Sequence, residues 1–558
     1  MRLALNFIVF TGLILFTVQC AKRASPTGGP KDSIPPVLIN ASPKLNTTFF
    51  DKDEFNLTFN EYITLKDINK QLIISPPLNS AQYKVYPVTG ASKKVTLKLL
   101  DSLLKNTTYT FNFGESIVDF NESNPSSYLT YTLSTGATID SLYIRGNISD
   151  AFENETERFI SLQLYPVDSI FNDSVIYSQK PLYVTSTLDT TIYRFQNLRA
   201  GKYSIIAMED KAGNYFFDQN MDKIGFNEKL IELPKDSVIN LRLFKERRNF
   251  FWDKPYFVND HHILLAYYGD REKESFKMVS DVPDNFEFLV TQSREKDTLN
   301  YWFKGAELDS LQFEFNIKDS LQIKTVQFKN PISDSLIIDK LTKGSLRLKD
   351  KYEIKSNLPI IKVNSEQLFV TNVDTIQIPA SLKIQENYDR ITVDFEVIPN
   401  NRYEITLLPN ALIDFWGNTN DTIVYRASTK KIEDYGNIFL RVQHQSFHSY
   451  IIELLKNDKV VRRYDSPVEG NYYKFELIDP GKYIVRLIED VNENKQWDTG
   501  NYIQKTQPEK VIYYWKEIDL RANWDMNEIF NTNENYPDLQ ESATVSDVLE
   551  VQDNPTQQ

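Results

Sequence analysis

The chain has 558 residues and a net charge of −13, with 63 Lys and Arg against 76 Asp and Glu. This acidic balance argues against nucleic acid as a partner, because such a surface needs an excess of basic residues. Aromatic residues reach 13% while glycine is scarce, which favours pleated sheets, and four histidines offer little material for metal catalysis or a nucleophile–base relay.

The N-terminal segment has the order of a secretory signal. Arg2 precedes an apolar run that is shorter than the roughly 20 residues a membrane-spanning helix needs. Cys20 follows this run and is the only cysteine, so it forms no internal disulfide. A lone cysteine after an apolar leader resembles the lipobox of Bacteroidota lipoproteins. The resemblance implies cleavage of a signal peptide over 1–19 and lipidation of Cys20; the alternative is an ordinary signal peptide with an incidental cysteine.

Residues 20–34 are rich in proline and glycine, which predicts a tether between a membrane and the first domain. The lipoprotein resemblance implies a lipid-anchored protein of the outer membrane or cell surface. The sequence leaves open which face of the membrane carries it.

Alternation of apolar and polar residues dominates the rest of the chain and predicts an all-β protein. Clear examples are 54–65, 93–100, 107–117 and 126–135. Helical periodicity is rare, and the best candidates for short helices are 65–73 and 408–416.

Two parts of the chain repeat. Segment 193–218 matches 473–498 without a gap, at a separation of 280 positions. A weaker repeat precedes each copy, because 106–148 parallels 401–442. The repeats predict a duplicated pair of modules, with an extra β-rich segment at 253–331 between the halves.

The first module of each pair carries family-like motifs. A "PP" opening at Pro35, an "SP" turn at Ser42 and a threonine-rich last strand that ends at Thr135 resemble the bacterial Ig-like domain of the SbsA type. The resemblance covers 35–137 and, less completely, 332–430. It implies an Ig-like sandwich without the Cys–Trp–Cys core of antibody domains, and it implies no particular activity.

The second module of each pair has a "GKY" turn, an apolar strand and an acidic, Asn-rich loop, and it resembles transthyretin-like or prealbumin-like sandwiches of secreted bacterial proteins. The predicted fold class is therefore all-β, with tandem Ig-like and transthyretin-like β-sandwiches in a duplicated pair arrangement. The predicted segments are a signal peptide (1–19), a lipidated tether (20–34), an Ig-like domain (35–137), a transthyretin-like sandwich (138–246), a β-rich segment (253–331), a divergent Ig-like domain (332–430), a second transthyretin-like sandwich (431–525) and a disordered acidic tail (526–558).

The acidic loop of the second copy has the spacing of a calcium-binding loop. An EF-type loop takes oxygen ligands from positions 1, 3, 5, 7 and 9. These positions hold Asp490, Asn492, Asn494, Gln496 and Asp498, although position 12 lacks the usual glutamate.

The first copy matches this pattern less well, with Asp210, Asn214 and Asp218 in place and Ala212 at position 3. The alternative for both copies is a polar turn, because Asn and Asp tolerate turn geometry and bond their own backbone. Calcium is the only cofactor that the sequence implies.

Other clusters have structural interpretations. His261–His262 are expected to be a satisfied surface or core pair. His444 and His448 would share a face only on a helix, and their stretch is predicted to be a strand and its turn. The aromatic cluster 250–252 is predicted to plug a domain interface. The "FWGN" stretch at 415–418 is predicted to close a sandwich core.

Asp-Ser-apolar triplets resemble the O-glycosylation acceptor of Bacteroidota, while the alternative is a turn that starts a strand. The triplets are 101–103, 168–170, 236–238, 309–311 and 319–321.

No nucleophile elbow, His-Glu-x-x-His motif, phosphate loop or cysteine–histidine pair occurs, so we do not expect an enzyme. The sequence predicts a lipid-anchored cell-envelope protein that binds or scaffolds envelope proteins or glycans on a stiff rod of Ig-like modules. The alternative is a glycan-binding or glycan-processing accessory of an outer-membrane polysaccharide system. Exposure of Trp302, Trp416 or Trp497 beside a carboxylate pair would favour that alternative.

Overall fold

The computed structural model describes residues 32–533 with short internal gaps. The residues outside the description are 1–31, 127, 260, 270–275, 295, 306–307, 318–319, 329–333, 343, 446–447 and 534–558. Strands dominate the described ranges, which contain no helix long and apolar enough to cross a membrane. The predictions for the signal peptide and for Cys20 fall outside the described residues.

Helix is confined to short turns. The described ranges hold one α-helix, α1 (Ile68–Gln71), so the predicted helix at 65–73 is a single turn. The predicted helix at 408–416 is wrong, because Leu412–Asp414 is a strand. The 3₁₀ helices are Ser80–Gln82, Asp173–Tyr177, Ser365–Gln367, Ile432–Asp434 and Glu469–Asn471.

The first unit is an Ig-like sandwich of two sheets, with strand orders β1-β2-β5-β4, to which β7 adds beside β2, and β3-β6-β8. Its strands are β1 (Leu38–Ser42), β2 (Glu54–Leu65), β3 (Ile73–Ser75), β4 (Tyr83–Tyr86), β5 (Ser92–Leu99), β6 (Thr108–Asn112), β7 (Ile117–Asp119) and β8 (Thr130–Ser134). Strand β2 has the predicted bounds, and its alternating Phe55, Leu57 and Phe59 are fully buried. The Phe55 ring stacks on Tyr131, with 4.0 Å between ring centroids, and so joins the two sheets.

The second unit has the sheet orders β12-β9-β16 and β11-β10-β13-β14, with β15 beside β13. Its strands are β9 (Leu142–Asp150), β10 (Ser161–Pro166), β11 (Tyr183–Ser186), β12 (Ile192–Leu198), β13 (Gly201–Met208), β14 (Ile224–Phe226), β15 (Ile231–Leu233) and β16 (Leu241–Leu243). Strand β13 is the "GKY" strand of the sequence repeat, and its alternating Tyr203, Ile205 and Ala207 enter the core between the sheets.

The middle segment forms a third sandwich, with sheet orders β17-β19-β22-β21, where β18 also pairs with β19, and β20-β23-β24. Its strands are β17 (Phe251–Trp252), β18 (Tyr256–Asn259), β19 (His262–Tyr268), β20 (Phe276–Met278), β21 (Glu287–Gln292), β22 (Thr298–Lys304), β23 (Ser310–Ile317) and β24 (Ser320–Gln327). The cluster 250–252 is not an interface plug, because the fully buried Trp252 packs on Tyr267 and Phe315 inside this sandwich.

The fourth unit follows the strand orders of the first, with β25-β26-β31-β30, β27-β33 and β29-β28-β32-β34. Its strands are β25 (Ile338–Lys340), β26 (Tyr352–Ser356), β27 (Ile360–Val363), β28 (Leu368–Thr371), β29 (Gln377–Ile378), β30 (Ala380–Ile384), β31 (Arg390–Phe395), β32 (Arg402–Leu407), β33 (Leu412–Asp414) and β34 (Ile423–Ser428). The prediction that "FWGN" closes this sandwich is wrong. Phe415 and Trp416 instead pack against Trp302 of the middle segment.

The fifth unit has the topology of the second, with sheet orders β38-β35-β42 and β37-β36-β39-β40, and with β41 beside β39. Its strands are β35 (Gly436–Gln443), β36 (Ser449–Lys456), β37 (Lys459–Tyr464), β38 (Tyr472–Ile478), β39 (Gly481–Asp490), β40 (Val511–Tyr513), β41 (Ile518–Leu520) and β42 (Asp525–Asn531). The predicted tail therefore starts too early. Strand β42 pairs in parallel with β35 and buries Phe530 completely.

Hydrogen bonds and ion pairs join units that are consecutive in the chain at three places. Between the first and second units, the Val184 N–H donates to Ser75 Oγ at 3.1 Å. Between the third and fourth, Trp416 Nε1 donates to the carbonyl of Phe303 at 3.1 Å. The fourth and fifth are joined by ion pairs of the half-buried Asp479 with Arg347 at 3.0 Å and with Lys430 at 2.6 Å.

The chain also folds back on itself, because the second and fifth units contact each other directly. Hydrogen bonds join residues that are 254 to 361 positions apart, such as Thr499 with Lys245 and Tyr513 with Phe152. A simple rod of modules in series is therefore wrong. The two duplicated sandwiches instead pair with one another.

Candidate functional site: the acidic loops of the duplicated modules

The second acidic loop begins at Asp490, the last residue of β39, and closes through hydrogen bonds. Asp490 is buried, and its two carboxylate oxygens accept from the backbone N–H groups of Asn494 (3.0 Å) and Lys495 (2.9 Å). The N–H of Gln496 donates to Asn494 Oδ1 at 2.8 Å. Aspartate and asparagine side chains close tight turns in this way.

Three further side chains of the loop converge. Asn492 and Asn494 each donate from Nδ2 to Asp498 Oδ2, both at 2.7 Å. The structure thus brings together the residues that the spacing singled out. The hydrogen-bond donors to the Asp498 side chain therefore come from asparagines of the same loop.

Sequence reasoning missed Glu509, which lies eleven residues beyond Asp498 and just before β40. Its carboxylate accepts from the N–H groups of Val491 (2.7 Å) and Asp498 (2.9 Å) and so ties the two ends of the loop together. Burial raises the pKa of Glu509, and the negative charges of Asp498 and Asp490 act in the same direction, while the two hydrogen bonds oppose them.

The first acidic loop follows β13 and starts in the same way. Asp210 accepts from the N–H groups of Asn214 (3.2 Å) and Tyr215 (2.7 Å). Asn214 Oδ1 accepts from the N–H of Phe216 at 2.8 Å. The weaker sequence match of this copy therefore still gives the same turn.

Asp222 closes the first loop as Glu509 closes the second. It is buried and accepts from the N–H groups of Lys211 (3.1 Å) and Asp218 (2.8 Å). Lys211 and Asp218 are the repeat equivalents of the two residues that Glu509 holds. Asp222 and Glu509 are 287 positions apart and each lies two residues before the next strand, so the two copies make one hydrogen-bond pattern with equivalent carboxylates.

Both loops have the geometry of polar turns in which the aspartates bond the backbone. Within the described ranges, no three His, Cys, Asp or Glu side chains are grouped so as to hold a metal ion. Calcium needs six to eight oxygen ligands, more than the four carboxylate oxygens of Asp490 and Asp498 supply. Calcium binding at Asp490–Asp498, and more weakly at Asp210–Asp218, stays a prediction.

The two copies differ by a seven-residue insertion after Asp498. The copies are 280 positions apart as far as this residue. Beyond it, Phe226 on β14 corresponds to Tyr513 on β40, and these two residues are 287 positions apart. The insertion carries the fully buried Tyr502 into the second unit, where its ring lies 5.3 Å from Phe226.

Polar contacts fix the inserted segment. The N–H of Tyr502 donates to Glu246 Oε1 at 2.6 Å, and its hydroxyl donates to Asp173 Oδ1 at 3.2 Å. Lys505 Nζ also reaches Asp173 Oδ1, at 2.6 Å. Burial raises the pKa of Glu246, which the hydrogen bonds from Tyr502 and Gln219 oppose.

The other half of this junction is formed by Phe152 of the second unit. Its ring lies 4.7 Å from that of Trp497 and 4.2 Å from the guanidinium carbon of Arg486. Arg486 is itself buried and pairs with Glu453 at 2.7 Å. Because the charge is paired and stacked, the junction tolerates an arginine that would otherwise be costly to bury.

The histidines are structural. His262 stacks on Trp302, with 3.7 Å between ring centroids, and its Nε2 lies 3.0 Å from Asn300 Oδ1. His261 packs against Phe303 and Trp416 at the junction of the third and fourth units.

His444 follows β35 and contacts Thr532 at 2.8 Å, whereas His448 is exposed just before β36. Strands β35 and β36 confirm the strand part of the prediction, while residues 446–447 of the predicted turn lie outside the described residues.

Trp302, Trp416 and Trp497, whose exposure would favour a glycan site, are all buried or half-buried. Trp302 is buried and Trp416 half-buried at the junction of the third and fourth units, and Trp497 is half-buried at the paired junction, where its Nε1 donates to the Glu509 carbonyl at 3.0 Å. None of the three forms an open aromatic platform beside paired carboxylates.

Three of the Asp-Ser-apolar triplets present exposed serines, Ser102, Ser169 and Ser320. Asp168 accepts from the N–H of Ile170 at 3.0 Å, which is the turn that the alternative interpretation expects. The triplet at 319–321 begins outside the described residues.

Comparison with known proteins supports the Ig-like assignment of the first unit. Residues 32–135 match the family model of the bacterial Ig-like domain, which confirms that part of the resemblance. No curated protein sequence matches the chain.

Solved structures align over large parts of the chain but at low similarity. The S-layer protein rSbsC(31-844) has 11% identity over 70% of this chain and 66% of its own, with a TM-score of 0.17. BcpA, the major pilin subunit of Bacillus cereus, has 10% identity over 71% and 99%, with a TM-score of 0.14. Domains A168-A170 of titin have 10% identity over 44% and 93%, also with a TM-score of 0.14. At these TM-scores the alignments carry no functional argument.

Proposed function

We propose that the protein is a lipid-anchored component of a bacterial cell envelope whose β-sandwich units bind or scaffold a partner without catalysis. The proposal is supported chiefly by how the candidate residues are used. The histidine, tryptophan and carboxylate clusters of the described ranges join units or close turns, and the duplicated sandwiches lock together through Tyr502. Such an assembly offers large, fixed surfaces.

The glycan-processing alternative has less support. It needs an aromatic cleft with a pair of carboxylates, and Trp302, Trp416 and Trp497 are the side chains that would have provided one. Each of them is packed at a junction between units. A non-catalytic role in binding is therefore the better interpretation.

Lipid anchoring is tested by metabolic labelling with a fatty-acid probe and by cell fractionation of the full chain. We expect the wild type to be labelled and membrane-bound, whereas Cys20→Ala is exported but unlabelled and soluble. Ser33→Ala, a change in the neighbouring tether, should behave as the wild type does. Equal labelling of Cys20→Ala and the wild type would overturn the anchor, and digestion of intact cells by protease would identify the membrane face.

A further inference from the structure

A cleft of about 870 Å³ lies between the third and fourth units. The middle of β19 and the start of β22 form one wall, and the opposite wall is formed by β26 and β31 of the fourth unit. Volumes of this size are typical of sites for small ligands.

Contacts between the units hold the cleft open in one geometry. Arg294 of the third unit donates from Nε to both oxygens of Asp389, at 3.0 and 3.3 Å, and from Nη2 to Gln385 at 3.2 Å. One N–H of the guanidinium is thus shared between the two carboxylate oxygens, and the second contact, to Gln385, fixes the orientation of the guanidinium as well as its position. The packing of Trp302 on Trp416 fixes the same two units. A ligand would therefore meet a cleft that is already formed.

The cleft is basic although the chain as a whole is acidic. Five basic and two acidic side chains line it, an excess of three positive charges in a chain of net charge −13. Arg294 is neutralised by Asp389. The remaining bases, Lys254, Lys296, Lys355 and Arg390, make no ion pair with any residue that the structure describes.

The strongest evidence for a bound anion comes from Lys355 and Arg390. They are direct cross-strand partners in the register of β26 and β31, and both line the cleft. Like charges directly opposite each other destabilise an antiparallel pair, because they repel at close range. Arg390 is also half-buried, which adds to the cost. An anion bound between the two side chains would remove this repulsion.

The rest of the lining favours a sugar over a lipid or a simple ion. Tyr256 presents an aromatic side chain that is 66% exposed at the cleft, and Ser293, Ser356 and Asn300 supply neutral hydrogen-bonding groups. An acyl chain would require an apolar tunnel without these polar groups. Sugar rings stack on aromatic faces while their hydroxyls bond to serine and amide groups.

We propose that this cleft binds an acidic oligosaccharide, with a carboxylate or sulfate group between Lys355 and Arg390 and a sugar ring against Tyr256. The proposal rests on the binding role proposed above and names its ligand class. It does not depend on Cys20 or lipid anchoring, so the two proposals can fail separately.

Calorimetric titration of the full chain without its leader tests the proposal. The probes are tetragalacturonate, its fully methyl-esterified form, and a heparin-derived tetrasaccharide. We expect tetragalacturonate or the sulfated probe to bind, the preferred one identifying the acidic group, and the neutral ester to bind at least tenfold more weakly. Affinity should fall as salt rises from 20 to 150 mM, because counter-ions screen the cleft.

The double variant Lys355→Gln/Arg390→Gln should weaken binding of the acidic probe at least tenfold and leave the melting temperature unchanged or raised. Lys84→Gln/Lys98→Gln is a matched control, because these exposed lysines are also cross-strand partners, on β4 and β5. The control should bind as the wild type does. If the first double variant fails to fold, Lys254→Gln/Lys296→Gln provides a second test, since both lysines are exposed.

Three results would overturn the proposal. The first is that no acidic probe binds, even at low salt. The second is that cleft and control variants lose affinity equally, which would mean that exposed lysines attract the acidic probe without a specific binding site. The third is that a poly-glutamate peptide binds as tightly as the sugars and depends equally on Tyr256, which would make the cleft a site for acidic peptides.

Discussion

His262 illustrates how a single side chain changes its chemistry when it is buried. It lies between Trp302 and Asn300, and burial lowers its pKa to about 4, which the hydrogen bond to Asn300 only partly opposes. The folded chain therefore keeps this imidazole neutral at pH values at which an exposed histidine is protonated. The sequence indicated a satisfied histidine, but it gave no sign of the tryptophan that covers it.

We predict that acid destabilises the third unit through His262. Between pH 6.5 and about 4 the unfolded chain takes up a proton that the folded chain does not, so stability falls as pH falls. The loss approaches about 3 kcal/mol at the lower end. Urea unfolding at pH 7 and at pH 4.5, followed by tryptophan fluorescence, measures it.

His262→Gln should flatten this pH dependence, whereas the same change at the exposed His448 should leave the slope as it is. An unchanged slope in His262→Gln would show that other groups cause the acid sensitivity.

At the scale of elements, strand prediction succeeded where one face of a strand is buried. The alternation over 54–65 gave β2 its bounds, because Phe55, Leu57 and Phe59 must all point to one side. The apolar spacing at 408–416 was misinterpreted as helical. Its aromatic residues serve a junction with another unit, which local periodicity does not reveal.

The sequence predicted only part of the second acidic loop, again because local spacing does not reveal contacts with more distant residues. The gap-free repeat located Asp490 and Asp498, but the insertion that follows moved the closing carboxylate to Glu509. Because the insertion changes the separation of the copies from 280 to 287 positions, a gap-free comparison does not align Glu509 with its equivalent Asp222. Only the fold brings it into contact with the loop.

We predict that the second loop keeps its shape without metal and depends on Glu509. If the loop is a polar turn only, the melting temperature is the same with calcium and with chelator. Glu509→Ala should destabilise the protein by about 1–3 kcal/mol, because the N–H groups of Val491 and Asp498 lose their acceptor. A calcium-dependent rise in melting temperature that disappears in Asp498→Ala would instead establish the calcium site.

The inserted segment is expected to hold the second and fifth units together. Tyr502→Ala should cost about 3–5 kcal/mol in chemical denaturation, the range for removing a large buried ring. Tyr502→Phe should cost only about 0.5–1.5 kcal/mol, since it loses the hydrogen bond to Asp173 but keeps the packing. Tyr62→Ala, at an exposed tyrosine, serves as the control. Equal effects of Tyr502→Ala and Tyr62→Ala would contradict the packing.

At the scale of the whole molecule, the sequence indicated the units and their duplication but not their arrangement. The residues that pair the duplicated sandwiches, such as Phe152 and Tyr502, have no spacing that relates them, and they lie hundreds of positions apart. Modules in series would leave these aromatic side chains exposed. Pairing the duplicated units buries them, and so turns a chain of sandwiches into one folded-back body.

Zero-length carbodiimide crosslinking tests this folded-back arrangement most directly, because it joins an amine and a carboxylate only when they touch. Lys505 Nζ lies 2.6 Å from Asp173 across the paired junction, and Lys516 lies 2.8 Å from Glu528 within the fifth unit. We predict that mass spectrometry of the crosslinked chain finds both links, at a yield independent of protein concentration. Formation of the Lys516–Glu528 link without the Lys505–Asp173 link would contradict the pairing of the duplicated modules.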